Sequence, residues 1–285
     1  MRQRLAVCIA LAFLSVSLPA SAKTILFVGN SFTYGELSPV MRFRSQTVTD
    51  LNGGGVGGVP ALFKAFATQA GLDYDVSLET VPGVGLDYHF ANKRALLDRK
   101  WDETVLQSFS TLDAARPGDP ALLTKFTDAF SGMFRKQNPN VRIFLTATWS
   151  RADLTYQGGA PWSGKPVQQM GKDIAAGYRV AAQKVPAVAA VVPVGLAWNR
   201  AIDSGLADPN PYDGIAPGKI DLWASDNYHA STYGYYLEAL LVFGRVTGRD
   251  PLSVGDKESS IRELSLDPAI IRKLEQIAHD ELAAP

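Results

Sequence analysis

Lys23-Thr24-Ile25-Leu26-Phe27-Val28-Gly29-Asn30-Ser31-Phe32-Thr33-Tyr34-Gly35 is the stretch whose reading decides the fold. Ile25 to Val28 is a short apolar run with no polar face, the pattern of a strand buried on both sides in a parallel sheet. Gly29 and Asn30 then turn the chain sharply. Ser31 follows at the carboxyl end of the strand, where open α/β sheets place their ligands. A serine held there becomes a nucleophile if a base reaches it. Asn30-Ser31 equally suits the N-terminal cap of a following helix, and this stretch by itself does not separate the two readings.

The far end of the chain does. In Ala224-Ser225-Asp226-Asn227-Tyr228-His229-Ala230-Ser231 an Asp precedes a His by three positions in a polar loop. The next helix carries Tyr233, Tyr236, Leu237, Leu240 and Leu241 at the spacing of one helical face. His229 therefore stands just before a helix N-terminus and off any apolar stripe. Nucleophile, base and orienter are all present in Ser31, His229 and Asp226.

Those residues resemble the SGNH hydrolases, also called GDSL esterases and lipases. The likeness is to an exported bacterial branch with Gly29-Asn30-Ser31-Phe32 in place of Gly-Asp-Ser. Asp226 to His229 and the helix Gly234-Tyr235-Tyr236-Leu237 match its last block. The resemblance implies a three-layer α/β/α flavodoxin-like fold with a parallel sheet of about five strands. It also implies a Ser31–His229–Asp226 triad, and an oxyanion hole with N–H groups from Ser31 and a glycine after the second strand. Gly83 is that glycine, with Gly85 as the alternative. The family's third block, Gly-x-Asn-Asp, is missing from Trp101 to Ser110. Gln107, with the same amide chemistry on a longer arm, takes the place of its Asn as oxyanion donor.

Composition sets the frame. The 285 residues suit one large α/β domain, and 46% hydrophobic with 20% charged residues is ordinary for a globular chain. Formal net charge is zero, and no basic stripe calls for nucleic acid. Arg2 and Arg4, the apolar run Leu5–Leu18 and Ala20-Ser21-Ala22 read as a secretory signal peptide, residues 1–22, leaving a single domain over 23–285 with no membrane span. The one cysteine, Cys8, falls within that leader, so the mature chain is expected to hold no disulfide and no thiol nucleophile. With three histidines and no mature cysteine, neither a histidine- or cysteine-rich metal site nor any other cofactor is expected.

Between the two blocks, strands and helices alternate. Gly53, Gly55 and Gly58 match a Gly-x-Gly-x-x-Gly fingerprint, followed by a helix over Pro60–Ala70. The preceding Arg44–Asp50 is too polar for the required strand, so a mobile loop beside the site is the better reading. Leu72 to Val81 alternates as a half-exposed edge strand. His89 either lines the site entrance or is a surface or packed helix histidine. Asn30, beside the nucleophile, is expected to touch substrate with it. Trp149, Tyr156 and Trp162, on the long loop after the Val141–Ala147 strand, form either a substrate wall or a small hydrophobic cluster. Asp267 to Leu282 reads as a surface helix. The implied function is an exported serine esterase for short-chain acyl or O-acetyl glycan esters. A lipase, lysophospholipase or thioesterase of the same fold is the alternative. A carbohydrate-binding protein without turnover and a nucleotide-binding oxidoreductase are the rivals from other classes.

Overall fold

The computed structural model describes residues 22–255 and 257–284. The expected signal peptide, up to Ser21, lies outside them. In chain order the elements are β1 (Lys23–Gly29), α1 (Ser31–Tyr34), β2 (Thr49–Asp50), α2 (Gly58–Gln69), β3 (Tyr74–Thr80), α3 (Leu86–Asn92), α4 (Arg94–Leu97) and β4 (Glu103–Leu106). There follow α5 (Ala121–Gln137), β5 (Arg142–Ala147), α6 (Ala152–Tyr156), α7 (Gln168–Lys184), β6 (Val188–Pro193), α8 (Val194–Asp203), α9 (Thr232–Thr247), α10 (Ser259–Glu263) and α11 (Pro268–Ala283).

The strands form one sheet in the order β2-β3-β1-β4-β5-β6, and every pairing is parallel. β1 thus lies inside the sheet, between β3 and β4. Its alternate residues feed opposite cores, as two-sided burial requires. Ile25 and Phe27 pack with Phe63 and Phe66 of α2 and Tyr236, Leu240 and Phe243 of α9. Leu26 and Val28 pack with Phe130 and Phe134 of α5 and Ile174 and Tyr178 of α7. The result is a three-layer α/β/α sandwich.

The expected five strands are present, and β2 is a sixth. It occupies two residues of the segment that looked too polar for a strand, pairing Thr49 and Asp50 with Ser77 and Leu78. A two-residue strand shows no periodicity, so only the neighbouring β3 could reveal it. β3 is consequently not the edge strand its alternation implied. The tail helix α11 also differs from expectation. It buries Ile271, Leu274 and Ala278 in the α9 layer, with Asp267 accepting a capping bond from the Ala269 N–H at 2.7 Å.

The glycine loop is tied to its neighbours in the chain. Arg42 Nη1 donates to the Gly54 and Gly55 carbonyls, the latter at 2.9 Å, and Asp50 accepts from the Val56 N–H at 3.2 Å. At Gly58 the structure requires glycine: at φ +66° it lies against α1, and a Cβ there would meet the Thr33 carbonyl oxygen at 2.7 Å and the Tyr34 Cα at 2.8 Å. The loop is a pad under the turn that carries Ser31.

Candidate active site

The site is assembled where β1, β3, β4 and β5 end. Asn30 closes β1 and caps α1, its Oδ1 accepting from the Phe32 N–H at 3.1 Å. The capping role foreseen for Asn30-Ser31 is thus real, and it coexists with a buried Ser31 at the first helical position. The Asn30 Nδ2 donates to the Val84 carbonyl at 2.9 Å and the Ser108 carbonyl at 3.3 Å. One side chain therefore fastens the β1, β3 and β4 exits together. That corrects the expectation of Asn30 as a substrate contact: it is buried, and its amide is spent on backbone.

Gln107 is spent in the same way. Its Oε1 accepts from the Asn30 N–H at 2.9 Å and from the Thr33 hydroxyl at 3.1 Å, and its Nε2 donates to the Ser108 carbonyl. Lying fully buried against Gly29, this amide braces the turn from beneath. The structure thus gives Gln107 a fastening role, beside the oxyanion role expected of it. Gly83 is exposed in a left-handed conformation on the loop between β3 and α3, next to the Val84 carbonyl that Asn30 holds. Gly85 is buried at the N-cap of α3.

The Asp226–His229 loop is closed by an antiparallel bridge between Trp223 and Ala230 and by the Ala224 N–H donating to the His229 carbonyl at 2.8 Å. Asn227 makes the bend with φ +56°, a conformation Asn tolerates better than most residues. Asp226 Oδ2 lies 2.6 Å from His229 Nδ1, and Oδ1 accepts the His229 and Tyr228 N–H groups at 2.9 and 3.1 Å. Burial pushes the Asp226 carboxyl up. The His229 ring and the two backbone donors outweigh that and hold it below the usual carboxylate value. His229 is 8% exposed, and its Nε2 is buried without a partner among the described residues. With Nδ1 engaged by Asp226, Nε2 is the nitrogen available for a proton.

Aromatic packing brings His229 to the Ser31 turn. Phe32, the residue after Ser31, meets the His229 ring edge-on with centroids 5.7 Å apart. On its other side Phe32 stacks on Trp149 at 4.1 Å, and Trp149 stacks on Trp198 at 4.8 Å. Tyr235 of α9 donates its hydroxyl to the Ser31 and Glu36 carbonyls, both at 3.2 Å. Burial pushes that hydroxyl well up, so it remains a neutral donor.

Two of the three loop aromatics take the hydrophobic-cluster alternative rather than the substrate wall. Trp149 is fully buried and Trp162 is 2% exposed; their indole N–H groups donate to the Tyr228 carbonyl at 3.2 Å and to Asp173 at 2.9 Å. These large rings pack in the core and find partners for their polar edges. Only Tyr156 is exposed, edge-on to Tyr212 with centroids 6.1 Å apart. His89 is also no entrance residue: it is fully buried, with Nδ1 2.5 Å from Glu79.

Sequence reasoning passed over Arg151, at the exit of β5. Its guanidinium carbon lies 3.8 Å from the centre of the Tyr228 ring, next to His229. A charged residue four positions past the end of β5, at the mouth of the loop that follows it, was the available signal.

No protein-family model and no curated protein matches the chain. Solved structures do. A DUF4886 family protein from Bacteroides uniformis ATCC 8492 superimposes with a TM-score of 0.62 at 18% identity, covering 93% of this chain and 96% of the other. A protein proposed to be a GDSL-like lipase, from Parabacteroides merdae ATCC 43184, gives 0.55 at 17% identity over 80% and 98%. A protein proposed to be an SGNH hydrolase, from Slackia heliotrinireducens, gives 0.51 at 19% identity over 79% and 100%. The architecture is therefore a three-layer parallel α/β fold with its site at the carboxyl ends of the strands. More particularly, it is the fold shared with the solved structures proposed to be an SGNH hydrolase and a GDSL-like lipase.

Proposed function

We propose that the protein is an exported serine esterase that hydrolyses carboxylic esters through an acyl-enzyme. The observation that carries this reading is the Asp226–His229 pair. Its 2.6 Å contact fixes the imidazole at Nδ1 and leaves a buried, unpartnered Nε2 on a ring that packs against Phe32, the residue after Ser31. A carboxylate below its usual titration range is suited to stabilise the imidazolium that forms when His229 takes a proton.

The chemistry balances on the chain's own groups. His229 accepts the Ser31 hydroxyl proton as Oγ bonds to the ester carbonyl carbon. The oxyanion is met by backbone N–H groups of Ser31 and Gly83, whose loops Asn30 and Gln107 hold in place. Collapse of the intermediate breaks the bond to the leaving alcohol, which takes the proton from His229. Water then repeats the sequence and releases the acid from Ser31. The leader-like first 22 residues and the exposed Tyr156–Tyr212 pair favour an ester met outside the cytoplasm, of short acyl or O-acetyl glycan type.

The test is p-nitrophenyl acetate turnover by the purified protein beside Ser31→Ala and His229→Ala, with mass analysis after a fluorophosphonate probe. Turnover lost in both variants and one adduct on Ser31 are the expected results. A wild type with neither turnover nor adduct overturns the reading.

A further inference from the structure

We propose that Arg151 is a positioning residue for His229, acting through the ring of Tyr228. This inference rests on the esterase reading above, because it presumes that His229 is the base.

The His229 loop has little regular structure of its own, and the segment Trp149–Asp153 holds it from the β5 exit. The Trp149 indole N–H donates to the Tyr228 carbonyl, and the Asp153 N–H donates to the Asn227 carbonyl at 3.2 Å. These bonds fix the backbone of the loop. The ring of Tyr228 is fixed differently. Arg151 places its guanidinium carbon 3.8 Å from the Tyr228 centroid, and the Tyr228 centroid is 4.1 Å from that of His229. Guanidinium, phenol and imidazole thus succeed one another, while Phe32 closes on both rings at 5.2 and 5.7 Å.

Arg151 is itself immobilised. Nε donates to Asp153 Oδ1 at 3.1 Å and Nη2 to Oδ2 at 2.6 Å, a two-point fork. Nη1 donates to the Ser110 hydroxyl at 3.3 Å, on the β4 exit loop. With its side chain 15% exposed, the guanidinium is largely shielded from competing water. Its positive charge already has a carboxylate partner in Asp153. The fork, the ring contact and the Ser110 bond together describe a strut between the β4 exit and the histidine loop. Only a planar cation makes all three contacts at once.

A shielded cation–ring contact corresponds to a factor of up to about 30 in an equilibrium. Arg151→Ala is therefore expected to lower kcat about ten- to thirtyfold. KM should hold within about twofold, because the loss lies in the geometry of the base and not in substrate binding. Fluorophosphonate labelling of Ser31 should slow by the same factor as kcat, since it needs the same proton transfer. Arg151→Lys keeps the charge and loses the fork, so its kcat should remain well below wild type; if the alanine variant does not fold, the lysine variant carries the test. Tyr228→Leu combined with Arg151→Ala should cost less than the product of the two single effects.

Wild-type kcat and labelling rate in both Arg151 variants would overturn the inference, as would a loss confined to KM or a full multiplicative double mutant. Absence of wild-type turnover and of any Ser31 adduct would instead overturn the esterase reading itself.

Discussion

Replacing Gln107 by leucine separates bracing the turn from donating to an oxyanion. The carbonyl of Gln107 is the acceptor for the Asn30 N–H at 2.9 Å and for the Thr33 hydroxyl at 3.1 Å, in a fully buried place. Leucine fills about the same space and accepts nothing. A buried N–H left without an acceptor costs about 1–3 kcal/mol, and the lost hydroxyl bond about 0.5–1.5 kcal/mol. The sum, about 2–4 kcal/mol, corresponds in a chain of this size to a fall in Tm of about 5–15 °C. Calorimetry or thermal circular dichroism at fixed pH reads it directly, with esterase turnover measured well below the transition. The bracing role predicts the drop in Tm together with a loss of turnover smaller than the factor of about 10²–10³ typical of a deleted oxyanion donor. An unchanged Tm with turnover reduced by that larger factor would refute this reasoning and return Gln107 to the oxyanion.

Gly58→Ala should lower both Tm and kcat, because the added Cβ meets the backbone of the Ser31 helix; Gly53→Ala, at a similar positive φ but in open space, should cost stability alone, about 1–2 kcal/mol. His89→Leu removes one hydrogen-bond partner of the buried Glu79, whose Oε1 keeps the Asn52 amide at 3.0 Å, for an expected loss of about 1–3 kcal/mol in denaturant unfolding. Glu238 is buried, with one carboxylate oxygen unpartnered, and burial raises its carboxyl well above 4.5. Above that unfolded value the folded protein holds a proton that the unfolded chain releases, so Glu238 makes stability fall as pH rises toward its folded value. Glu238→Gln should flatten that slope. Unfolding free energies measured from pH 5 to 8 check it, and an unaltered slope would contradict it.

The two candidate-site blocks are legible as local structure because local chemistry marks them. An apolar run ending in Gly-Asn-Ser can be little other than a buried strand entering a turn. An Asp three residues before a His in a polar loop can reach it without help from the rest of the chain, and the 2.6 Å contact is that local geometry. The layered parallel sheet followed from alternation of apolar strands and amphipathic helices. Side-chain partners across the sheet were not legible. Gln107 lies 77 residues from the Asn30 N–H it serves, and Asn30 lies 54 residues from the Val84 carbonyl. An amide at a strand end looks the same whether it faces a substrate or a neighbouring backbone.

The same physics governs the tryptophans and Arg151. A large ring in a glycine- and proline-rich loop has equal transfer free energy to gain from a substrate or from the core, and only packing decides. Here Phe32, Trp149 and Trp198 stack into one column behind Ser31. The sequence by itself determined the layers, the strand-to-turn junction at Gly29–Ser31 and the Asp226–His229 loop, since each is marked by periodicity or by residues a few positions apart. The tertiary structure alone decided which polar groups are spent on the scaffold, because hydrogen-bond partners in a parallel sheet come from strand ends that the sequence places far apart.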